Sequence, residues 1–143
     1  MDMRSIAIGL CNIFTIIFFT VFQVDAQVHS ELSHEPTLKQ KAEIYLYRNE
    51  FSQSILYYKK AIDQDNLDVY LFRGLAQALN RSGKIKQGID IFNQYLQTSP
   101  SNSLYGLGYL NYLTKNKKQA QTFLREAIEI NPKNTLAMNN LAA

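Results

Sequence analysis

One set of residue types returns along this chain in a fixed order and at a nearly constant interval. That return constrains the fold more than any other feature. Leu38, Phe72, Leu104 and Met138 stand 34, 32 and 34 residues apart. Four positions after each come Ala42, Ala76, Gly108 and Ala142. Ser54, Gly88 and Ala120 follow in step, then Tyr58, Phe92 and Leu124, then Ala61, Tyr95 and Ala127, and last Asn66, Pro100 and Pro132. No one of these residues is diagnostic; their common phase is. Such a period belongs to chains of stacked supersecondary units, each too small to bury its own apolar face.

From Pro36 onward the apolar residues recur at helical rather than strand spacing. The pattern predicts an all-α protein with helices at about 36–48, 51–64, 69–81, 85–97, 102–114, 117–130 and 135–142. By phase these form repeats at about 35–68, 69–100 and 101–134, with a partial fourth at 135–143. Pro36 suits a first helical turn and Gly83 a helix end. Ser99-Pro100-Ser101 and Asn131-Pro132-Lys133-Asn134 read as turns between units. Small residues at Ala42, Ala76 and Gly108 let the first helix of each pair approach the second; Ser54, Gly88 and Ala120 do the same from the other side. Tyr58, Phe92 and Leu124 fill the space between, each contributing about 1.5–3 kcal/mol when buried. The interval of 32 around Pro100 shortens one connection and predicts a tilted junction there.

The first two dozen residues break the pattern. Met1-Asp2-Met3-Arg4 is a short basic start, and residues 6–22 are apolar apart from Gly9, Asn12, Thr15 and Thr20. Val24-Asp25-Ala26 before Gln27 has the small-residue shape of a signal-peptidase site. Two readings stay open. Residues 1–26 are a cleaved signal peptide, whose apolar region runs about 7–15 residues, or an N-terminal membrane anchor, for which a spanning helix needs about 17–25. Arg4 precedes the apolar stretch and the next basic residue is Lys39, which keeps the N-terminus cytoplasmic and exports the repeats. The expected location is periplasmic or secreted after cleavage, or membrane-anchored with the repeats outside the cytoplasm. Membrane contact is expected only through residues 6–22. Residues 27–35 are polar and read as a flexible lead-in. Cys11, the one cysteine, lies within the apolar stretch, so cleavage would leave no thiol.

Ala127-Ile128-Glu129-Ile130-Asn131-Pro132, followed by Leu136-Ala137-Met138-Asn139-Asn140-Leu141-Ala142, closely resembles tetratricopeptide-repeat (TPR) proteins. The likeness in phase covers residues 35–143. It implies a right-handed superhelical stack of helix–turn–helix repeats, a TPR-like α-solenoid. It also implies a non-catalytic interaction module or scaffold that holds a peptide or protein segment in a concave groove lined by the first helices. Carried over by repeat position, that groove includes Lys39, Glu43, Tyr47, Tyr70, Arg73, Gln77, Asn80, Tyr105, Tyr109, Tyr112 and Asn139. Tyr105, Tyr109 and Tyr112 share one helix face. They would offer an aromatic stripe to an apolar or proline-containing peptide, although the same spacing also serves packing against a neighbouring repeat. Some adaptors of the family clamp a C-terminal carboxylate. Here Lys39 matches one clamp position, but Glu43 replaces an asparagine, and Gly74 and Gly106 stand where asparagine and arginine are needed. The resemblance therefore implies that the clamp is absent.

The sequence contains no Gly-rich phosphate loop, zinc-ligand cluster or nucleophile elbow. Asp63-Gln64-Asp65-Asn66 opens like a calcium loop, but Leu67 and Asp68 fall where a ligand and a glycine are required. His29 and His34 lie without partners in the lead-in. No catalysis, cofactor or metal is expected. A net charge of +3, well dispersed, is no footprint for nucleic acid. The fourth repeat holds only a first helix, so Met138 and Leu141 are expected to support self-association or capping by another chain. The alternative function is a membrane-tethered assembly or sensory component, such as a secretion or pilus assembly factor. Intact-mass measurement separates the two: cleavage leaves Gln27 at the N-terminus, whereas an anchor keeps residues 6–22.

Overall fold

Seven helices follow one another in the computed structural model, which describes residues 35–142. They are α1 (Leu38–Tyr47), α2 (Phe51–Gln64), α3 (Val69–Arg81), α4 (Ile85–Tyr95), α5 (Pro100–Leu113), α6 (Lys117–Ile130) and α7 (Thr135–Ala142). The signal peptide or anchor at 1–26, and the lead-in except for Glu35, lie outside the described residues. No strand occurs among the described residues, and none of their helices is long and apolar enough to cross a membrane.

Local chemistry sets the boundaries. Thr37 caps α1 in a reciprocal box: its hydroxyl accepts from the Gln40 amide at 3.2 Å, and the Gln40 side chain accepts from the Thr37 amide at 2.9 Å. Pro36 thus precedes the cap instead of lying in the first turn. Asp68 caps α3, its carboxylate accepting from the Tyr70 amide at 2.9 Å. Ser99-Pro100-Ser101, read as a turn, is the start of α5, with Pro100 in the first turn where a missing N–H costs nothing. The helix consequently begins two residues earlier than expected.

The turn inside each pair has one geometry. Asn49, Gly83 and Lys115 all take positive φ, at 62°, 71° and 63°. After each of them a backbone N–H reaches back to close the helix end: Glu50 to Tyr45 O, Lys84 to Leu79 O and Asn116 to Asn111 O, all at 2.9 Å. Only the middle turn has a glycine to relieve the left-handed conformation.

Between helices the core is built by close approach. Ser54 in α2 donates to the Ala42 carbonyl of α1 at 2.9 Å, and both residues are fully buried. A Cβ on Gly88 would stand 2.9 Å from Leu110 Cδ2 and 3.1 Å from Leu79 Cδ1; one on Gly108 would stand 2.8 Å from Leu124 Cγ. Two further glycines receive rings from the preceding repeat. The Tyr58 ring of α2 fills the place of a Gly74 side chain on α3, and the Phe92 ring of α4 fills that of Gly106 on α5. Phe72 completes this core, with its ring centroid 6.3 Å from that of Phe92 and 5.8 Å from that of Tyr95. Polar bonds tie the connections: Ser99 Oγ donates to Asn66 O at 2.7 Å, Asn102 Nδ2 to the same oxygen at 2.9 Å, and Tyr95 Oη to Asp63 Oδ1 at 2.8 Å. The non-small Tyr95 is accommodated because its hydroxyl leaves the core to meet Asp63.

Gly88→Leu is expected to destabilise the chain by about 1–3 kcal/mol, because the added side chain must displace Leu110 and Leu79. Lys86→Leu, on the exposed side of the same helix, is expected to stay within about 0.5 kcal/mol. Urea-unfolding midpoints followed by circular dichroism measure both, and equal midpoints would remove Gly88 from the helix crossing.

Candidate partner-binding groove

The first helices of successive pairs face one another, and their side chains make one connected surface. Lys39 on α1 reaches forward to α3, where its Nζ donates to Asp68 Oδ2 at 2.9 Å and stands 5.4 Å from the Tyr70 ring centroid. The hydrogen bond to Asp68, set against some desolvation, raises the Lys39 pKa. Such a part-exposed pair adds little to stability; its effect here is to fix where the cation sits. From α3, Gln77 Nε2 donates to Tyr109 Oη on α5 at 3.2 Å, and the Arg73 guanidinium lies 5.7 Å from the Tyr109 ring centroid.

Between α1 and α3 these residues enclose a cavity of about 360 Å³. Lys39, Glu43 and Tyr47 line it from α1, and Tyr70, Arg73 and Gln77 from α3, so six of the residues placed in the groove by repeat position come together. Tyr47 is 87% exposed and Tyr70 53%, so both are free to meet a ligand. Arg81 also borders the cavity, but its donors are taken by the Leu46 carbonyl at 3.2 Å and by Asn49 Oδ1. Glu43 is exposed and makes no ion pair or hydrogen bond with a described residue.

Tyr58 also lines this cavity, though it belongs to the second helix of its pair and repeat position assigns it to the core. Its ring passes through the gap that Gly74 leaves in α3. It is only 3% exposed, and burial first, then the Glu43 carboxylate, pushes its hydroxyl pKa up to about 12. The hydroxyl is therefore protonated across the neutral range. The sequence carried a signal for this arrangement: Gly74 and Gly106 keep the 32-residue interval of Phe72 and Leu104, as packing positions do.

Not every residue assigned to the groove lies on its surface. Tyr105, Tyr109 and Tyr112 do share a face and stack in sequence, with centroids 5.8 and 6.2 Å apart. Only Tyr112 is well exposed, at 48%; Tyr105 is fully buried and Tyr109 nearly so. Residues 101–110 of α5 are buried around the whole helix, because α6, α3 and α4 pack on it and α7 meets its tyrosine face at Tyr105. Asn140, not Asn139, meets this stack, donating to Tyr105 Oη at 3.4 Å; Asn139 is exposed. Asn80 is half-buried near the end of α3, away from the cavity lining. Among the described residues no group of His, Cys, Asp or Glu could hold a metal ion.

Residues 101–134 match the family described as tetratricopeptide repeat. The chain is 26% identical over 133 residues to Protein CTR9 homolog of Arabidopsis thaliana, covering 86% of this chain but 12% of that protein. It thus spans about an eighth of the length of this curated relative. The NMR structure of the first TPR domain of the human RPAP3 protein superposes with a TM-score of 0.52 at 22% identity, over 74% of this chain and 85% of that one. That likeness shows the fold: a helical solenoid of the tetratricopeptide-repeat kind.

Burial divides the tyrosine stack into structural and surface members. Tyr105→Ser is expected to cost about 3–5 kcal/mol, the range for emptying a buried aromatic site. Tyr112→Ser, at a half-exposed position, is expected to cost less than about 1 kcal/mol. Thermal melts read both, and similar melting temperatures for the two variants would contradict the burial of Tyr105.

Proposed function

We propose that this chain is a non-catalytic protein-interaction module that binds a peptide or protein segment against α1, α3 and α5. Domains of this fold generally mediate protein–protein interaction. The observation that carries the reading here is the cavity between α1 and α3, where the exposed tyrosines Tyr47 and Tyr70 stand with the exposed Glu43 carboxylate and the Arg73 guanidinium. Rigid aromatic rings with polar tips give contact area at little entropic cost.

The compartment rests on the sequence of residues 1–26. We propose that it directs the repeats out of the cytoplasm, as a cleaved signal peptide or as an anchor that makes the protein a tethered assembly or sensory component. A second surface supports self-association. A cavity of about 720 Å³ opens between the end of α5, the start of α6 and α7, lined by Leu113, Leu124 and Leu141 with Lys115 and Lys117 at its edge. Met138 on α7 is 39% exposed. Sedimentation that is independent of concentration, and unchanged by Leu141→Lys, would remove this second surface.

The main test is positional. Photo-crosslinking residues at Tyr47 or Tyr70 are expected to capture a protein partner from the native source. The same residues at Lys86 or Glu126, exposed on second helices, are expected to capture none. Capture from the second helices alone would move the interface to the opposite face.

A further inference from the structure

The turn between the first two repeats carries a side chain that its own chain leaves in solvent. Leu67 is 83% exposed, and the matching repeat positions hold the polar residues Ser101 and Lys133. Asp63, Asp65 and Asp68 flank it in sequence. Among the described residues only Asp68 of the three is paired with a cation, Lys39. Asp63 accepts from Tyr95 Oη at 2.8 Å and Asp65 from the Leu67 amide at 3.1 Å, so both keep their charge. The turn thus presents one apolar knob in a negative setting. The cavity at the ends of α5 and α7 has the opposite character. Leu113, Ala120, Leu124 and Leu141 wall it, the exposed Lys115 and Lys117 stand at its edge, and no Asp or Glu lines it. Neither lysine makes an ion pair with a described residue. The preceding joint shows what fits against Ala120. Gly88 holds the same repeat position, and there a Cβ would stand 2.9 Å from Leu110 of α5. The place suits a leucine.

We propose that Leu67 of one copy of this chain seats in the α5–α6–α7 cavity of a second copy, bringing Asp63 and Asp65 against Lys115 and Lys117. The inference rests on the self-association reading and names what enters that second surface. One copy cannot make the contact with itself. Asn102, in the first turn of α5, donates to the Leu67 carbonyl at 3.2 Å, whereas the cavity meets α5 at Tyr112 and Leu113, in its last turn. At roughly 1.5 Å per residue the two lie about 15 Å apart along the helix. The contact is therefore head-to-tail. Each copy offers a knob at one end of its first helices and a hole at the other, and copies add in series unless a ring closes. Burial of the leucine supplies the attraction, and the opposed charges set its orientation.

Sedimentation velocity on the full chain, purified from its native source, tests the contact by complementation. The unmodified chain is expected to form a concentration-dependent series. Leu67→Ser, in an exposed turn, and Leu141→Lys, in the cavity wall, are each expected to weaken association about ten- to a hundredfold, the range for one leucine lost from an apolar site. Mixed together, the two variants are expected to form a one-to-one pair and nothing larger, because one keeps its cavity and the other its knob. Lys117→Glu, at an exposed position, serves should Leu141→Lys disturb α7, and adding Asp65→Lys to the same chain is expected to restore part of the loss. Association that persists in both single variants, or a mixture that stays monomeric while the unmodified chain associates, overturns the contact and leaves self-association to another surface. Loss with Leu141→Lys but not with Leu67→Ser overturns Leu67 as the occupant and leaves the second surface standing. An unmodified chain that is monomeric at every concentration removes the contact and the second surface together.

Discussion

The insertion of a ring into a glycine gap of the next repeat is the contact on which the arrangement depends. Tyr58 enters at Gly74 and Phe92 at Gly106, so α3 and α5 are each seated by a second helix from the repeat before. A Cβ at either glycine would occupy ring atoms, and interiors packed at crystal-like density have no slack to absorb it. Close approach brings α3 near α1 and α5 near α3. It therefore also brings Lys39 within reach of Asp68 and Gln77 within reach of Tyr109. The groove surface is a by-product of how the core closes.

Much of this was legible in the residues. Helices α2, α3, α6 and α7 lie where the periodicity puts them, because phase at 32 to 34 residues fixes which positions must be small and which apolar. The start of α5 was misplaced because Ser99-Pro100-Ser101 is turn chemistry by composition, whereas proline is equally at home in a first helical turn. The groove was only partly legible. Of the residues that repeat position assigns to the groove, Lys39, Glu43, Tyr47, Tyr70, Arg73 and Gln77 line one cavity. It could not show that Tyr105 and Tyr109 are buried, since a helical face says nothing about what covers it; here α7 meets Tyr105 and α3 meets Tyr109. Nor could it show that Tyr58, rightly assigned to the core, also borders the cavity.

The charges around the cavity show why a list of residues underdetermines a site. Three basic side chains border it, yet Lys39 is paired with Asp68, and Arg81 is committed to the turn that closes α1. Arg73 lies against Tyr109, whose hydrogen bond and ring hold its guanidinium in place. The basic character of the cavity is therefore weaker than the three side chains alone suggest. Position, more than net charge, decides which ligand such a surface can discriminate.

The polar bonds between repeats have a reach that bears on how the chain acquires its structure. Asn66 and Thr98 are 32 positions apart, Ser99 and Asn66 33, Arg81 and Leu46 35, and Asn140 and Tyr105 35. Each thus links a unit only to its immediate neighbour. No distant segments need to find one another before these bonds can form, so the loop-closure cost of each step is small and alike. Structure can then spread from any unit to the next in either direction, and loss of order can retreat by the same route. The ring gaps make neighbouring units succeed or fail together, so the length of chain that melts as one block is set by how many such joints remain intact.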